Sequence, residues 1–312
     1  MTRLILNGKA AQLPQVREAV FASRDAGANM EVLVTWEKGD AARLAEQAGY
    51  AGRSRVIAGG GDGTVNEVVN GLMRLTLERR PALGILPLGS ANDLAMSLDL
   101  PQTPGAALAA ALRLPSRPVD VARLDDRYFL NMTTGGFGAE VTSSTPKSLK
   151  RLLGGGAYSL IGALKAWQHH PYAGHLSWAG GQCDASLFVL AMGNGTQAGG
   201  GQRLTPEARL DDGLLDILLV RDFASLRDMV TMRRELLERP REGLFVETFR
   251  TPWLRFEGVD GLPLTLDGEP LCRHDFHVEV ESGALELVVP GDCPLFSHGS
   301  NGAGESWSRA AS

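Results

Sequence analysis

The chain has 312 residues and a formal net charge of -5, a length that suits two domains better than one and a charge that offers no overall attraction to nucleic acid or to an anionic membrane. Its three cysteines, Cys183, Cys272 and Cys293, lack C-x-x-C spacing, which argues against a disulfide framework or a zinc site and suits a reducing, cytoplasmic compartment. The opening MTRLILNGKA has too short an apolar run for a secretory leader, and no apolar stretch is long enough to span a bilayer.

In chain order, Leu4–Asn7 predicts a first strand and a helix follows Pro14. Glu31–Thr35 predicts a second strand, and Asp40 can cap a helix running to about Ala48. Val56-Ile57-Ala58 is a short apolar run of the kind a buried strand uses. Four glycines then surround one acid: Gly59, Gly60, Gly61, Asp62 and Gly63. From Thr64 the apolar residues Val65, Val68, Val69, Leu72 and Met73 recur at helical period. Thr64 and Glu67 stand at capping-box spacing, which places the helix start at Thr64.

A strand, a glycine loop and a helix N-terminus present unpaired backbone N–H groups and the positive end of a helix dipole to an anion. Bare glycines let a phosphate come close. The loop is not a Walker A motif, since no Gly-Lys-Ser/Thr follows. Nor is it a dinucleotide fingerprint, since Thr64 or Asn66 stands where Gly or Ala is needed. From the residues alone it is a phosphate loop or a glycine turn before a capped helix.

Ala82–Pro87 predicts a fourth strand, and Pro87-Leu88-Gly89-Ser90-Ala91-Asn92-Asp93 makes a second strand–loop–helix junction. Ser90 either caps the helix, with Asp93 at box spacing, or supplies a hydroxyl to the other wall of a nucleotide site. The alternation of strands and helices implies a parallel sheet with helices on both faces. Ligands then collect at the carboxyl ends of the strands, where Thr35 stands.

Leu114–Asp120, interrupted by prolines, reads as a linker. Beyond it the pattern changes to strands. Val119–Leu124 and Tyr128–Met132 flank a turn at Asp125-Asp126-Arg127, and apolar alternations follow at Leu187–Met192, Leu214–Val220, Leu254–Glu257, Phe276–Val280 and Leu285–Val289. With helices at Ser225–Leu237 and after Thr145, this half predicts a mainly antiparallel β domain. The expected divisions are 1–118, 119–296 and a Ser/Gly-rich, disordered tail at 297–312.

Two acidic stretches of the second half invite chemistry. Leu266-Asp267-Gly268-Glu269-Pro270 is either a plain Asp-Gly hairpin turn or a site for Glu269 to accept a proton from an alcohol. Asp211-Asp212-Gly213 is a solvated turn or a cation site. Between Val141 and Cys183 there is no Asp or Glu, while Lys147, Lys150, Arg151, Lys165, His169 and His170 are interleaved with apolar residues. That composition suits either an anionic lipid surface or a helix packed on the core with a basic outer face.

The motif GGGDGTVNEV resembles the nucleotide-binding loop of the diacylglycerol-kinase catalytic superfamily; NAD kinases and phosphofructokinases carry related loops. With VTWEKGDAAR before it and PLGSANDLA, GGFG at Gly135–Gly138, GNG, GGG, DDGLL and TLDGEPL after it, the motifs run in the right order, so the chain resembles a YegS-type bacterial lipid kinase over almost its whole length. The resemblance implies an NAD-kinase/diacylglycerol-kinase-like α/β first domain, and Mg²⁺-dependent transfer of the ATP γ-phosphoryl group to a lipid hydroxyl.

It further implies that Thr35, Gly61, Asp62, Gly63, Thr64, Val65, Asn66, Glu67 and Ser90 bind ATP. Glu269 would be the proton acceptor, with Asp267 orienting it or the metal. An accessory Mg²⁺ (or Ca²⁺) would sit on the backbones of Arg209 and Leu214 and the carboxylate of Asp212, hard oxygen donors that suit such cations. The implied partner is a diacylglycerol- or phosphatidylglycerol-like lipid, met at a membrane surface from the cytoplasmic side. The rival expectations are an NAD kinase and a nucleotide-gated lipid-binding protein without turnover.

Overall fold

The computed structural model describes residues 1–137, 139 and 171–297. The basic residues between Lys147 and His170, the helix expected after Thr145, and all but the first residue of the expected tail lie outside this set. In the first half β1 (Thr2–Asn7), α1 (Pro14–Asp25), β2 (Met30–Thr35), α2 (Asp40–Tyr50), β3 (Arg55–Gly60), α3 (Asp62–Met73) and β4 (Ala82–Pro87) alternate, followed by α4 (Asp93–Ser97) and α5 (Pro104–Arg113).

β1 pairs in parallel with β2 and β3, and β3 pairs in parallel with β4. Both faces of these strands are covered. Ile5, Val56 and Ala58 pack with Leu44, Val65 and Val69 on one side, while Leu4, Ile57 and Leu86 pack with Val16 and Leu108 on the other. That explains why the strands read as short apolar runs rather than alternations.

The second half contains β5 (Ser116–Leu124), β6 (Arg127–Phe129), β7 (Met132–Gly136), β8 (Tyr172–Trp178), β9 (Gly181–Gly193), β10 (Gln197–Ala198), β11 (Gln202–Arg203), β12 (Leu215–Arg221), α6 (Leu226–Glu238), β13 (Val246–Thr251), β14 (Trp253–Leu266) and β15 (Glu269–Val288). Pairings among these strands are antiparallel. β14 and β9 each change partner along their length, pairing with β8 at one end and β7 at the other. A register shift between Glu257 and Leu262 gives β14 the bend this requires.

The expected linker at Leu114–Asp120 is mostly strand: β5 begins at Ser116 and pairs with β15. Pro118 is tolerated because it is exposed near the start of β5, while Val119 and Val121 are fully buried. The alternations at Phe276–Val280 and Leu285–Val289 belong to one strand. A bulge between Glu281 and Leu285 absorbs the break in pattern, with Gly283 at φ 60°.

The two halves share one sheet. Leu287 of β15 pairs in parallel with Leu83 of β4, so the ten-strand path runs β13-β12-β9-β7-β14-β15-β4-β3-β1-β2. Val119, Leu130, Leu210, Leu285, Leu287 and Phe296 also join the apolar cluster beneath α2 and α3. The carboxyl ends of β1 to β4 and the β14–β15 turn consequently face a common crevice.

Candidate active site

The carboxyl ends of β3 and β4 lie side by side, with Gly60 opposite Pro87. Leu88 N–H donates to the Gly60 carbonyl at 2.8 Å. The loops beyond them touch backbone to backbone: a Cβ placed on Gly89 would stand 2.5 Å from Gly61 Cα. Only glycine fits at that contact, which accounts for a glycine in each motif.

α3 starts at Asp62, two residues before the expected Thr64. Its N-cap is Gly61, with no side-chain cap. The Thr64–Glu67 capping box is therefore not formed. Glu67 Oε2 instead accepts the Gly39 N–H at 3.0 Å, tying the β2–α2 loop to α3. The N–H groups of Thr64 and Val65 both close on the Gly61 carbonyl, so donors for an anion come from the loop glycines themselves.

Asp40 likewise works as a loop anchor rather than an N-cap. Its Oδ2 accepts N–H from Trp36 and Glu37, and burial is outweighed, so the carboxyl is held down at about 2, chiefly by the Trp36 N–H and then by Arg43. Thr35 is half-buried at the end of β2, opposite Asn7.

The second junction differs from its expected cap too. α4 starts at Asp93 after Asn92 in the left-handed region, and Ser90 is exposed in the loop. The Asp93 carboxylate accepts N–H from Gly200 at 2.8 Å and Gly201 at 2.7 Å. That gives the Gly199–Gly201 run, which carried no assignable role in sequence, a contact that locks the β10–β11 hairpin to the first half. Asp62 lies between the two junctions, accepting the Leu94 N–H. Burial, and then the charges of Asp93 and Asp267, push its carboxyl up to about 6.

Glu269 reaches this crevice from the other half. Asp267 and Gly268, at φ 45° and 90°, make the two-residue turn between β14 and β15, with Leu266 opposite Glu269. Glu269 Oε1 lies 3.1 Å from where a Cβ on Gly63 would stand, and Oε2 pairs with Lys38 Nζ at 2.5 Å.

Asp267 is buried and faces inward. Its Oδ1 accepts N–H from Asn131 and Met132, and its Oδ2 accepts from Leu130 N–H and Asn66 Nδ2. Burial raises its carboxyl, against four hydrogen bonds that favour the anion. These bonds occupy both oxygens, so the side chain orients the turn and α3 rather than touching Glu269.

The residues expected to hold an accessory cation stand in the loop before β12. Asp212 is half-buried, accepts the Leu214 N–H at 3.1 Å and lies 4.0 Å from Arg250; burial raises its carboxyl. Arg209 donates to the Phe296 carbonyl at 2.9 Å. Among the described residues no group of three His, Cys, Asp or Glu side chains could hold a metal, so a cation here would depend on one carboxylate and backbone carbonyls. That oxygen-only set fits a hard cation. A hydrogen-bond chain links this loop to the turn: Gly213 N–H to Asp120, Asn194 Nδ2 to the carbonyls of Asp120 and Leu130, and Leu130 N–H to Asp267.

Sequence reasoning passed over Lys38, Asn70 and Asn194 as individual residues, and gave Asp93 only a capping role. Asn66 and Asn70 stand one helical turn apart and both donate to the Tyr128 carbonyl, a spacing visible in the sequence. No local signal marks Lys38 or Asn194, whose partners are distant in the chain.

Comparison with known proteins agrees with this arrangement. Residues 2–124 match the family profile for a diacylglycerol kinase catalytic domain, and residues 132–289 match that for a YegS C-terminal NAD kinase beta sandwich-like domain. A protein of Chromohalobacter salexigens named "Probable lipid kinase YegS-like" is 58% identical over 95% of this chain and 96% of its own. A Pseudomonas aeruginosa protein of the same name is 45% identical over 94% and 95%. A crystal structure described as "a putative diacylglycerol kinase" from Bacillus anthracis str. Sterne superposes with a TM-score of 0.76 at 26% identity, covering 94% of this chain and 98% of that one. Two adjoining glycine loops facing a hairpin carboxylate, and relatives matched from end to end, place the chain in the YegS-like lipid kinase family, as a kinase with a diacylglycerol kinase catalytic domain.

Proposed function

We propose that this kinase transfers the γ-phosphoryl group of ATP to the hydroxyl of a diacylglycerol- or phosphatidylglycerol-like lipid, with Glu269 accepting the hydroxyl proton. The observation that carries the reading is the position of Glu269, whose Oε1 lies beside Gly63 at the start of α3. The glycine loop, with Thr35 and Ser90 on either side, grips the phosphates. The hydroxyl oxygen bonds to the γ-phosphorus, the β–γ bridging bond breaks, ADP leaves, and the proton passes to the carboxylate.

Mg²⁺ would neutralise phosphate charge during transfer. Asp212 with the carbonyls of Arg209 and Leu214 would hold an accessory Mg²⁺ or Ca²⁺. Asp267 serves as a positioning residue for the turn that carries the base. No helix among the described residues is long and apolar enough to cross a membrane; the lipid is met at a membrane surface from the cytoplasmic side, with Lys147, Lys150 and Arg151 as the docking charges.

Transfer of ³²P from ATP to diacylglycerol, phosphatidylglycerol and NAD, measured with the unaltered chain and with Glu269→Ala, tests the reading. Labelled lipid that disappears in the variant supports it. Labelled NAD points to a small-molecule kinase, and ATP binding without transfer points to a gated lipid-binding protein. Full activity in Glu269→Ala removes the proposed base.

A further inference from the structure

The loop joining β2 to α2 exposes Trp36, Glu37, Lys38 and Gly39 to solvent, yet its backbone is tied down on both sides of Lys38. Asp40 Oδ2 accepts the N–H of Trp36 at 2.9 Å and of Glu37 at 3.3 Å, and Glu67 Oε2 accepts the N–H of Gly39 at 3.0 Å. Gly39 sits at φ 91° with nothing near its Cβ position, so the chain turns freely there into α2. Three backbone bonds from two carboxylates thus fix the root of one long, flexible side chain.

That side chain crosses to the other half of the molecule, where Nζ meets Glu269 Oε2 at 2.5 Å. The lysine side chain is 76% exposed and the glutamate 32%. A pair so open to water contributes little to stability, so its use lies in geometry. Glu269 stands next to a two-residue turn with three rotatable side-chain bonds and no other hydrogen-bond partner among the described contacts. Holding Oε2 leaves Oε1 directed at Gly63, where the phosphates are gripped.

We propose that Lys38 is a positioning residue that holds the Glu269 carboxylate over the glycine loop. The proposal rests on the reading of Glu269 as proton acceptor. Lys38 acts only through the carboxylate it holds, and the lysine itself takes no proton from the alcohol.

The test compares Lys38→Met, Lys38→Arg, Glu269→Ala and Lys38→Met/Glu269→Ala in the full chain, with ATP and diacylglycerol or phosphatidylglycerol in mixed micelles. Lys38→Met should lower kcat by roughly tenfold to a hundredfold, as expected for a misplaced catalytic group, with the KM for ATP changed by less than about threefold. Lys38→Arg should restore kcat to within about threefold of the original. In the absence of Glu269 the Lys38→Met change should have no further effect, since its object is gone. Melting temperatures that match the unaltered chain confirm that each variant folds. An inactive Glu269→Ala beside a fully active Lys38→Met overturns the role of Lys38 and leaves the base standing. A fully active Glu269→Ala, or no transfer to either lipid by the unaltered chain, overturns the reading beneath it as well.

Discussion

Asn66 Nδ2 lies 3.1 Å from Asp267 Oδ2, joining the first turns of the helix after the glycine loop to a hairpin 201 residues further along the chain. Three backbone N–H groups, from Leu130, Asn131 and Met132, converge on the same carboxylate. Asp267→Asn keeps the size and tolerates the left-handed backbone at φ 45°, but turns an NH₂ group toward donors. Urea denaturation should show a loss of about 2–4 kcal/mol. Asn66→Ala removes one donor only and should cost about 1 kcal/mol. An unchanged midpoint in Asp267→Asn would contradict the bonding described.

Backbone contact between the two glycine loops makes Gly89→Ala severe. The added Cβ would lie 2.5 Å from Gly61 Cα, well inside contact distance, and must force the loops apart. ATP binding should fall by about tenfold or more, in the range that small misplacements produce. Gly105→Ala is the control: it lies in α5 with nothing within 4 Å of its Cβ position, and should stabilise the chain by up to about 1 kcal/mol. Titration calorimetry and thermal melts together separate the two results.

The grip of Asp93 on Gly200 and Gly201 is readable by amide hydrogen exchange. Asp93→Ala removes the acceptor for both N–H groups. Exchange at those two amides should accelerate by about tenfold or more, while amides in β3 and β4 keep their rates. Equal acceleration everywhere would mean global destabilisation instead.

Asp62 predicts a pH dependence whose sign is fixed. Burial, with Asp93 and Asp267 nearby, raises its carboxyl from 3.8 to about 6 in the folded chain. The folded state keeps a proton that the unfolded chain releases, so this group's contribution to stability is full below about pH 4 and is lost as pH rises through about 6. Asp62→Asn cannot ionise. Its melting temperature should match the unaltered chain near pH 4 and exceed it by roughly 2–6 °C at about pH 7.5. A lower value for the variant at the higher pH would refute the sign.

Much of this site was legible in the residues because its parts are local. β4 was bounded by its apolar run, the Asp-Gly hairpin by its turn residues, and the loop after β3 by its run of glycines, two loops there meeting backbone to backbone. The capping boxes at Thr64–Glu67 and Ser90–Asp93 misled because spacing shows which bonds are feasible, not which are made. Glu67 and Asp93 had better partners across the fold, in Gly39 and in Gly200 with Gly201. The tie between Lys38 and Glu269 joins residues 231 positions apart, beyond the reach of any local pattern. The supposed linker failed for a similar reason: Val119 and Val121 became a strand only because β15 arrives to pair with them.

The seam between β4 and β15 has a consequence during synthesis. β4 leaves the ribosome some 200 residues before Leu287, its partner in the sheet. Until then one rim of the early-made half stays open to stray pairing with neighbouring chains. A product cut short ahead of residue 269 would therefore lack its acidic hairpin and would also expose an adhesive border, which only the completed polypeptide seals.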